Sequence, residues 1–200
     1  MRKTAQDRKV EISQAAMDLA FEVGPDQVTT SIIAKRLGLT QPAIYKHFPN
    51  KNGIWNTVAD QLCGQVRVNI ERAANGIHSP DNRIRLLVMG HLQLVQENPA
   101  LPEIMVMRNL QGAHGHLQSQ MRTIMAEFRN ALVGHIEAAV SQKIFQSDLD
   151  SADASTLVFG IIQSLVLRML LTRDPNILTQ DGARLLDLLL SGFRHFEGSL

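Results

Sequence analysis

The sequence predicts an all-α protein of about nine helices, with an N-terminal three-helix helix–turn–helix domain and a larger C-terminal helical domain. Three observations carry this. Apolar residues recur at helical spacing along nearly the whole chain. Helix breakers interrupt them at intervals of roughly 8 to 30 residues. No segment alternates in the manner of a strand bounded by turn signals. The 200 residues are 44% hydrophobic, enough for a sizeable core and too apolar for disorder. Only 4% are aromatic, so that core is built from Leu, Ile, Val, Ala and eight Met.

The first helix is expected over about residues 4–23, with Ile12, Ala16, Leu19, Ala20 and Val23 as its apolar stripe. Gly24-Pro25-Asp26 ends it. The second starts after Thr29, a good N-cap residue, turns Ile33, Ala34 and Leu37 inward and closes at Gly38. The third starts after Thr40, places Pro42 in its first turn, where a missing N–H costs little, and stops near His47 before Pro49. The fourth runs from about 51 to 74, the fifth from 81 to 97 and a short sixth from 101 to 110. Gly112-Ala113-His114-Gly115 reads as a hinge before a long seventh helix over 117–145.

Helices eight (about 152–172) and nine (about 180–196) differ from the rest, because both are apolar on more than one face. A soluble helix needs one apolar stripe; a second must also be buried. Two fully central helices of a monomer satisfy this, and so does a homodimer. The dimer fits better, since a small domain has few wholly central helix positions. Its expected contacts are Leu157, Ile161, Leu165, Leu186, Leu189, Leu190 and Phe193.

Residues 30–37 and 41–47 are two short helices joined by Gly38-Leu39-Thr40, the spacing of a helix–turn–helix. In such a pair the second helix can enter the major groove. Ile44 and Phe48 lie four apart and anchor it, leaving Gln41, Ala43, Tyr45, Lys46 and His47 outside. Gln can read adenine, Ala can touch a thymine methyl, and Tyr, Lys and His can reach phosphates. Helix starts such as that at Lys51 also attract phosphate. Short helix pairs with polar outer faces also occur in proteins that bind no DNA, and spacing alone leaves both readings open.

Charge adds a little. Residues 1–51 hold eight Lys/Arg and five Asp/Glu, while residues 52–200 hold twelve and fourteen. A mildly basic head on a mildly acidic body suits a phosphate-facing N-terminus. The single cysteine, Cys63, rules out an internal disulfide, suits a reducing cytoplasm and reads as a core residue. The charged N-terminus lacks a signal-peptide pattern, and no 18-residue window is free of charge and apolar, so no membrane span is expected. No Gly-x-Ser-x-Gly, His-Glu-x-x-His, phosphate loop, Gly-x-Gly-x-x-Gly or Glu-x-x-His occurs, and no enzyme activity or cofactor is expected.

ISQAAMDLAFEVG (12–24), Thr29 followed by IIAKRLGLT (32–40), and IYKHFPNK (44–51) together resemble the N-terminal domain of TetR-family (AcrR-like) transcriptional regulators. Leu37 stands where Ala is commoner in that family. The resemblance implies a DNA-binding domain over 1–51, with the motif at about 29–48. Helix four then links it to a ligand-binding and dimerisation domain over 52–200. It places Thr29 and Thr40 near phosphates, Gln41, Pro42 and Ala43 at bases, and Tyr45, His47 and Lys51 on the backbone, with Lys46 a further contact. The implied protein is a homodimeric repressor that leaves an inverted-repeat operator when a small apolar molecule binds. Met89, Leu92, Met105, Met107, Leu110, Met121, Met125, Phe128 and Phe159 are candidate pocket residues or simple core. His91, His114, His116 and His135 beside Met105 and Met107 raise metal sensing as a rival, but their spacing matches no established ligand set, and no metal is assigned.

Overall fold

The computed structural model describes residues 4–75, 77–104 and 115–194, the last stretch with side chains from Ser119 onward. The helices are α1 (Ala5–Val23), α2 (Thr30–Leu37), α3 (Gln41–Tyr45), α4 (Lys51–Asn75), α5 (Pro80–Glu97), α6 (Gly115–Ser141), α7 (Ser151–Thr172) and α8 (Ile177–Phe193). A 3-10 turn covers Pro25–Gln27, and residues 101–104 are helical. Among the described residues there is no strand, only one antiparallel bridge between Phe145 and Arg194. Two compact units result: Met1–Gly64 with Asn98–Arg122, and Gln65–Glu97 with Thr123–Leu200.

In the first unit, Thr4 caps α1 through a capping box. Its hydroxyl accepts from the Asp7 amide at 3.1 Å, and its own amide donates to the Asp7 carboxylate at 3.0 Å. Ile12, Ala16, Leu19 and Ala20 are buried as the stripe predicts, but Val23 is 49% exposed. It is the last helical residue, and at Gly24 (φ +88°) the chain leaves the helix axis. Val28, Ile33, Ala34, Ile54, Trp55, Val58 and Leu62 complete this core. Cys63 is buried there too, its thiol donating to the Met121 sulfur at 3.4 Å.

In the second unit, α8 packs along both α5 and α7. Gly182 makes the close approach possible: a Cβ there would lie 2.5 Å from Leu92 Cδ1. On α4, Asn69 Nδ2 donates to the Leu87 carbonyl at 2.8 Å, and its side chain fills the space a Cβ on Gly90 would need. Arg194 meets Asp81 at 3.0 Å and so ties the end of α8 to the start of α5.

Helix seven and the last helix depart from the sequence reading at their ends. Helix seven stops at Ser141 rather than near 145, because Lys143 is left-handed (φ +59°). The Ile144 amide reaches the Ala139 carbonyl and the Lys143 amide reaches Val140, both at 2.9 Å, which is a Schellman cap without glycine. The last helix starts at Ile177 and ends at Phe193, where Arg194 turns extended and pairs with Phe145.

On length and composition α7 could cross a bilayer. Its sides differ, however. Ala154, Val158, Ile162, Leu165 and Met169 are buried, while Leu157, Leu167 and Leu171 are exposed.

His91 of α5 is buried with its ring 4.9 Å from Phe128, which meets Phe159 edge-on at 5.8 Å. Its Nδ1 has no hydrogen-bond partner. Burial pushes the imidazole down to about 4 from its ordinary 6.5. Between those values only the unfolded chain takes the proton, so stability is full above pH 6.5 and falls as pH drops towards 4. The loss should total about 3 kcal/mol. Denaturation midpoints across this window should therefore decline more steeply for the native protein than for His91→Leu; parallel slopes would disprove the linkage.

Candidate nucleic-acid interface

The turn between α2 and α3 decides which side chains face out. Gly38 takes the left-handed conformation (φ +64°) that stops α2, and the Leu39 amide reaches back to the Ala34 carbonyl at 2.9 Å. The chain then enters α3 with Pro42 in its first turn. Ile44 is fully buried and Phe48 is 3% exposed, so α3 is fixed from below. The Lys9 ammonium lies 5.8 Å from the centre of the Phe48 ring. Helical geometry then leaves Gln41, Pro42, Tyr45 and Lys46 exposed, with Ala43 and His47 half-buried.

Thr29 caps α2: its hydroxyl accepts from the Ile32 amide at 3.3 Å, and its side chain is exposed. Thr40 differs from expectation. It occupies the N-cap position of α3, but only its carbonyl is engaged there, and its side chain makes no capping bond. The α-helical part of α3 is also shorter than predicted, ending at Tyr45, with Lys46 and His47 in a turn. Lys51 is half-buried at the start of α4.

Two participants were not foreseen. Asn50 caps α4 by accepting from the Gly53 amide at 2.9 Å, which fixes where Lys51 begins the helix. Its signal was present, since Asn before a helix is a favoured cap. Thr30 is buried and accepts a hydrogen bond from Gln41 Nε2 at 2.9 Å, while its oxygen lies 3.3 Å from the Tyr45 hydroxyl. Nothing in the linear pattern marks this contact, which spans eleven and fifteen residues. A bidentate ion pair from Arg36 to Glu22, at 3.0 and 2.5 Å, joins α2 to α1. That hydrogen bond and the guanidinium charge hold the Glu22 carboxyl below its ordinary range.

Three of the candidate pocket residues are core. Leu92 and Phe128 are fully buried, Met121 packs on Cys63, and Met89, Met125 and Phe159 are half-buried. Met105, Met107, Leu110 and His114 lie outside the described residues, as does the side chain of His116. No group of three or more His, Cys, Asp or Glu fit to hold a metal occurs among the described residues. His135 is half-buried, and burial together with nearby Arg83 lowers its pKa.

The expected dimer contacts need correction. Leu165, Leu186 and Leu190 are at most 1% exposed and buried within the chain itself, and Phe193, 5% exposed, meets the Phe145 ring at 5.7 Å. Of the expected contacts Leu157, at 54%, faces outward, as do Leu167, Leu171 and Leu188, while Ile161 and Leu189 are half-buried. Ile161, Leu185, Leu188, Leu189, Gly192 and Phe193 line an open groove of about 430 Å³ there.

Residues 12–58 match the model of bacterial regulatory proteins of the tetR family, and residues 104–181 match that of the tetracyclin repressor-like C-terminal domain. The nucleoid occlusion factor SlmA of Sodalis glossinidius (strain morsitans) is 27% identical over 169 residues, 82% of this chain and 79% of the relative. The ketosteroid transcriptional regulator KstR2 of Mycobacterium tuberculosis superposes with a TM-score of 0.77 at 19% identity, covering 94% of this chain and 95% of that one. The transcriptional regulator FadR of Bacillus subtilis, in complex with stearoyl-CoA, gives 0.69 at 24% identity over 92% and 98%. The two structural likenesses speak to the fold; the family models, matching in order at both ends of the chain, carry the assignment. With its helix–turn–helix presented by Ile44 and Phe48, the chain belongs to the TetR family and is a DNA-binding transcriptional regulator, not an enzyme.

Proposed function

We propose that the protein is a homodimeric repressor, acting in the cytoplasm, that occupies an inverted-repeat operator and releases it when a small apolar molecule binds the C-terminal domain. The observation that carries the DNA half is the seated α3: Gln41, Tyr45 and, just past its end, Lys46 are exposed beside Pro42, while Ile44 and Phe48 hold it from below. In this reading residues 1–51 form the DNA-binding domain. Gln41, Pro42 and Ala43 meet bases, and Thr29, Thr40, Tyr45, Lys46, His47 and Lys51 meet the backbone. Two copies of α3 reach successive major grooves, about 34–36 Å apart.

Dimerisation is supported by the outward apolar side of α7 and α8, where Leu157 is exposed and Leu188 lines the groove. Uncovered apolar side chains of this size favour burial against a second copy. For the effector, the apolar candidates Met89, Met125 and Phe159 favour a hydrocarbon over an ion. The stearoyl-CoA held by the FadR relative makes a long acyl chain the first class to test. Any effector acts only through a difference in affinity between the DNA-binding conformation and its alternative.

Lys51→Ala should weaken operator binding and lower the slope of log affinity against log salt by about two, because each of the two copies gives up one phosphate ion pair. Tyr45→Ala should weaken binding with little change in slope. An unaltered slope in Lys51→Ala removes that lysine from the interface. Leu157→Glu combined with Leu188→Glu should sediment as a monomer; a persisting dimer would move the assembly surface elsewhere.

A further inference from the structure

The hydroxyl of Thr30 touches two side chains of the recognition face at once. It accepts from Gln41 Nε2 at 2.9 Å and lies 3.3 Å from the Tyr45 hydroxyl. Thr30 itself is 7% exposed, whereas Tyr45 is 46% exposed and Gln41 is also exposed. A buried threonine thus fixes two residues that face solvent.

An untethered glutamine amide turns over readily, presenting its oxygen or its nitrogen to a base with similar ease. Tying the nitrogen back on Thr30 removes that freedom and leaves the carbonyl oxygen as the outward end. If Gln41 turned over, its oxygen would meet the Thr30 oxygen, and a bond would return only with the Thr30 proton aimed at Gln41 and Tyr45 as the donor of the 3.3 Å contact. Shared geometry therefore couples the two choices.

We infer that Thr30 is a positioning residue for sequence recognition: it orients Gln41 so that the protein selects a base presenting an exocyclic amine in the major groove at one operator position. Adenine N6 and cytosine N4 donate in the major groove, whereas guanine O6 and thymine O4 accept. The inference rests on α3 being the element that reads DNA. Thr30 needs no contact with DNA itself, and its effect is on discrimination at one base pair rather than on affinity at large.

The test selects binding sites from a randomised duplex pool with the full-length native protein and with Gln41→Ala, Thr30→Val and Thr30→Ser. The base pair whose preference disappears in Gln41→Ala is the one Gln41 reads. There the native protein should favour adenine or cytosine over guanine or thymine at least about fivefold. Thr30→Val should lose that preference and keep those at other positions, and Thr30→Ser, which retains the hydroxyl, should restore it. Circular dichroism checks folding first; if Thr30→Val unfolds, Thr30→Ala removes the same hydroxyl without adding bulk. A preference for guanine or thymine at that position, or a preference that survives loss of the hydroxyl, overturns the inference. If the native protein selects no sequence, the reading of α3 as the recognition element fails, and this one with it.

Discussion

The burial of Ile44 and Phe48 is the contact on which the functional face depends. Both sit in the core of the first unit, four residues apart, and Phe48 also lies under the Lys9 ammonium. The α-helical part of α3 has five residues, too few for a helix to persist on its own propensity. Only tertiary anchoring holds it. Once those two side chains are inside, the helical repeat leaves Gln41, Tyr45 and Lys46 outside, so the core decides which side chains the motif presents. Gly38 matters for the same reason: its left-handed backbone turns the chain sharply enough for both short helices to share one core.

The C-terminal helices follow another logic. Leu165, Leu186 and Leu190 spend their apolar surface inside the protomer, and Gly182 admits Leu92 where any larger residue would separate α8 from α5. Apolar surface also remains outside, at Leu157, Leu167, Leu171 and Leu188. Between the two ends, α4 is one unbroken helix of 25 residues whose sequence begins in the first unit and finishes in the second.

Much of this was legible from periodicity. The boundaries of α1, α2, α4, α5 and α7 fall within a residue or so of those read from spacing and breakers, because Thr4, Thr29, Asp150, Gly24 and Gly38 are strong local signals. The ends of α6 and α8 were not, because their stop signals are tertiary: a left-handed Lys143 has no sequence mark, and Arg194 turns extended to pair with Phe145. Apolar periodicity also cannot distinguish a residue buried within its own chain from one left for a partner. Leu186 and Leu188 look alike in sequence and differ completely in exposure. At the helix–turn–helix the exposure of Gln41, Tyr45 and Lys46 was foreseeable from the Ile44 and Phe48 spacing, whereas Ala43 and His47 are half-buried. The Thr30 hydroxyl beneath Gln41 and Tyr45 was not foreseeable, since contacts across eleven and fifteen residues depend on how α2 and α3 pack.

Hydroxyl-radical footprinting of the native protein on the DNA upstream of its own gene addresses the central claim most directly. Two anchored α3 helices in a symmetric dimer should protect two patches related by a dyad, on one face of the duplex and one helical turn apart. A single patch, or even protection without a sequence register, would contradict recognition by a pair of seated helices.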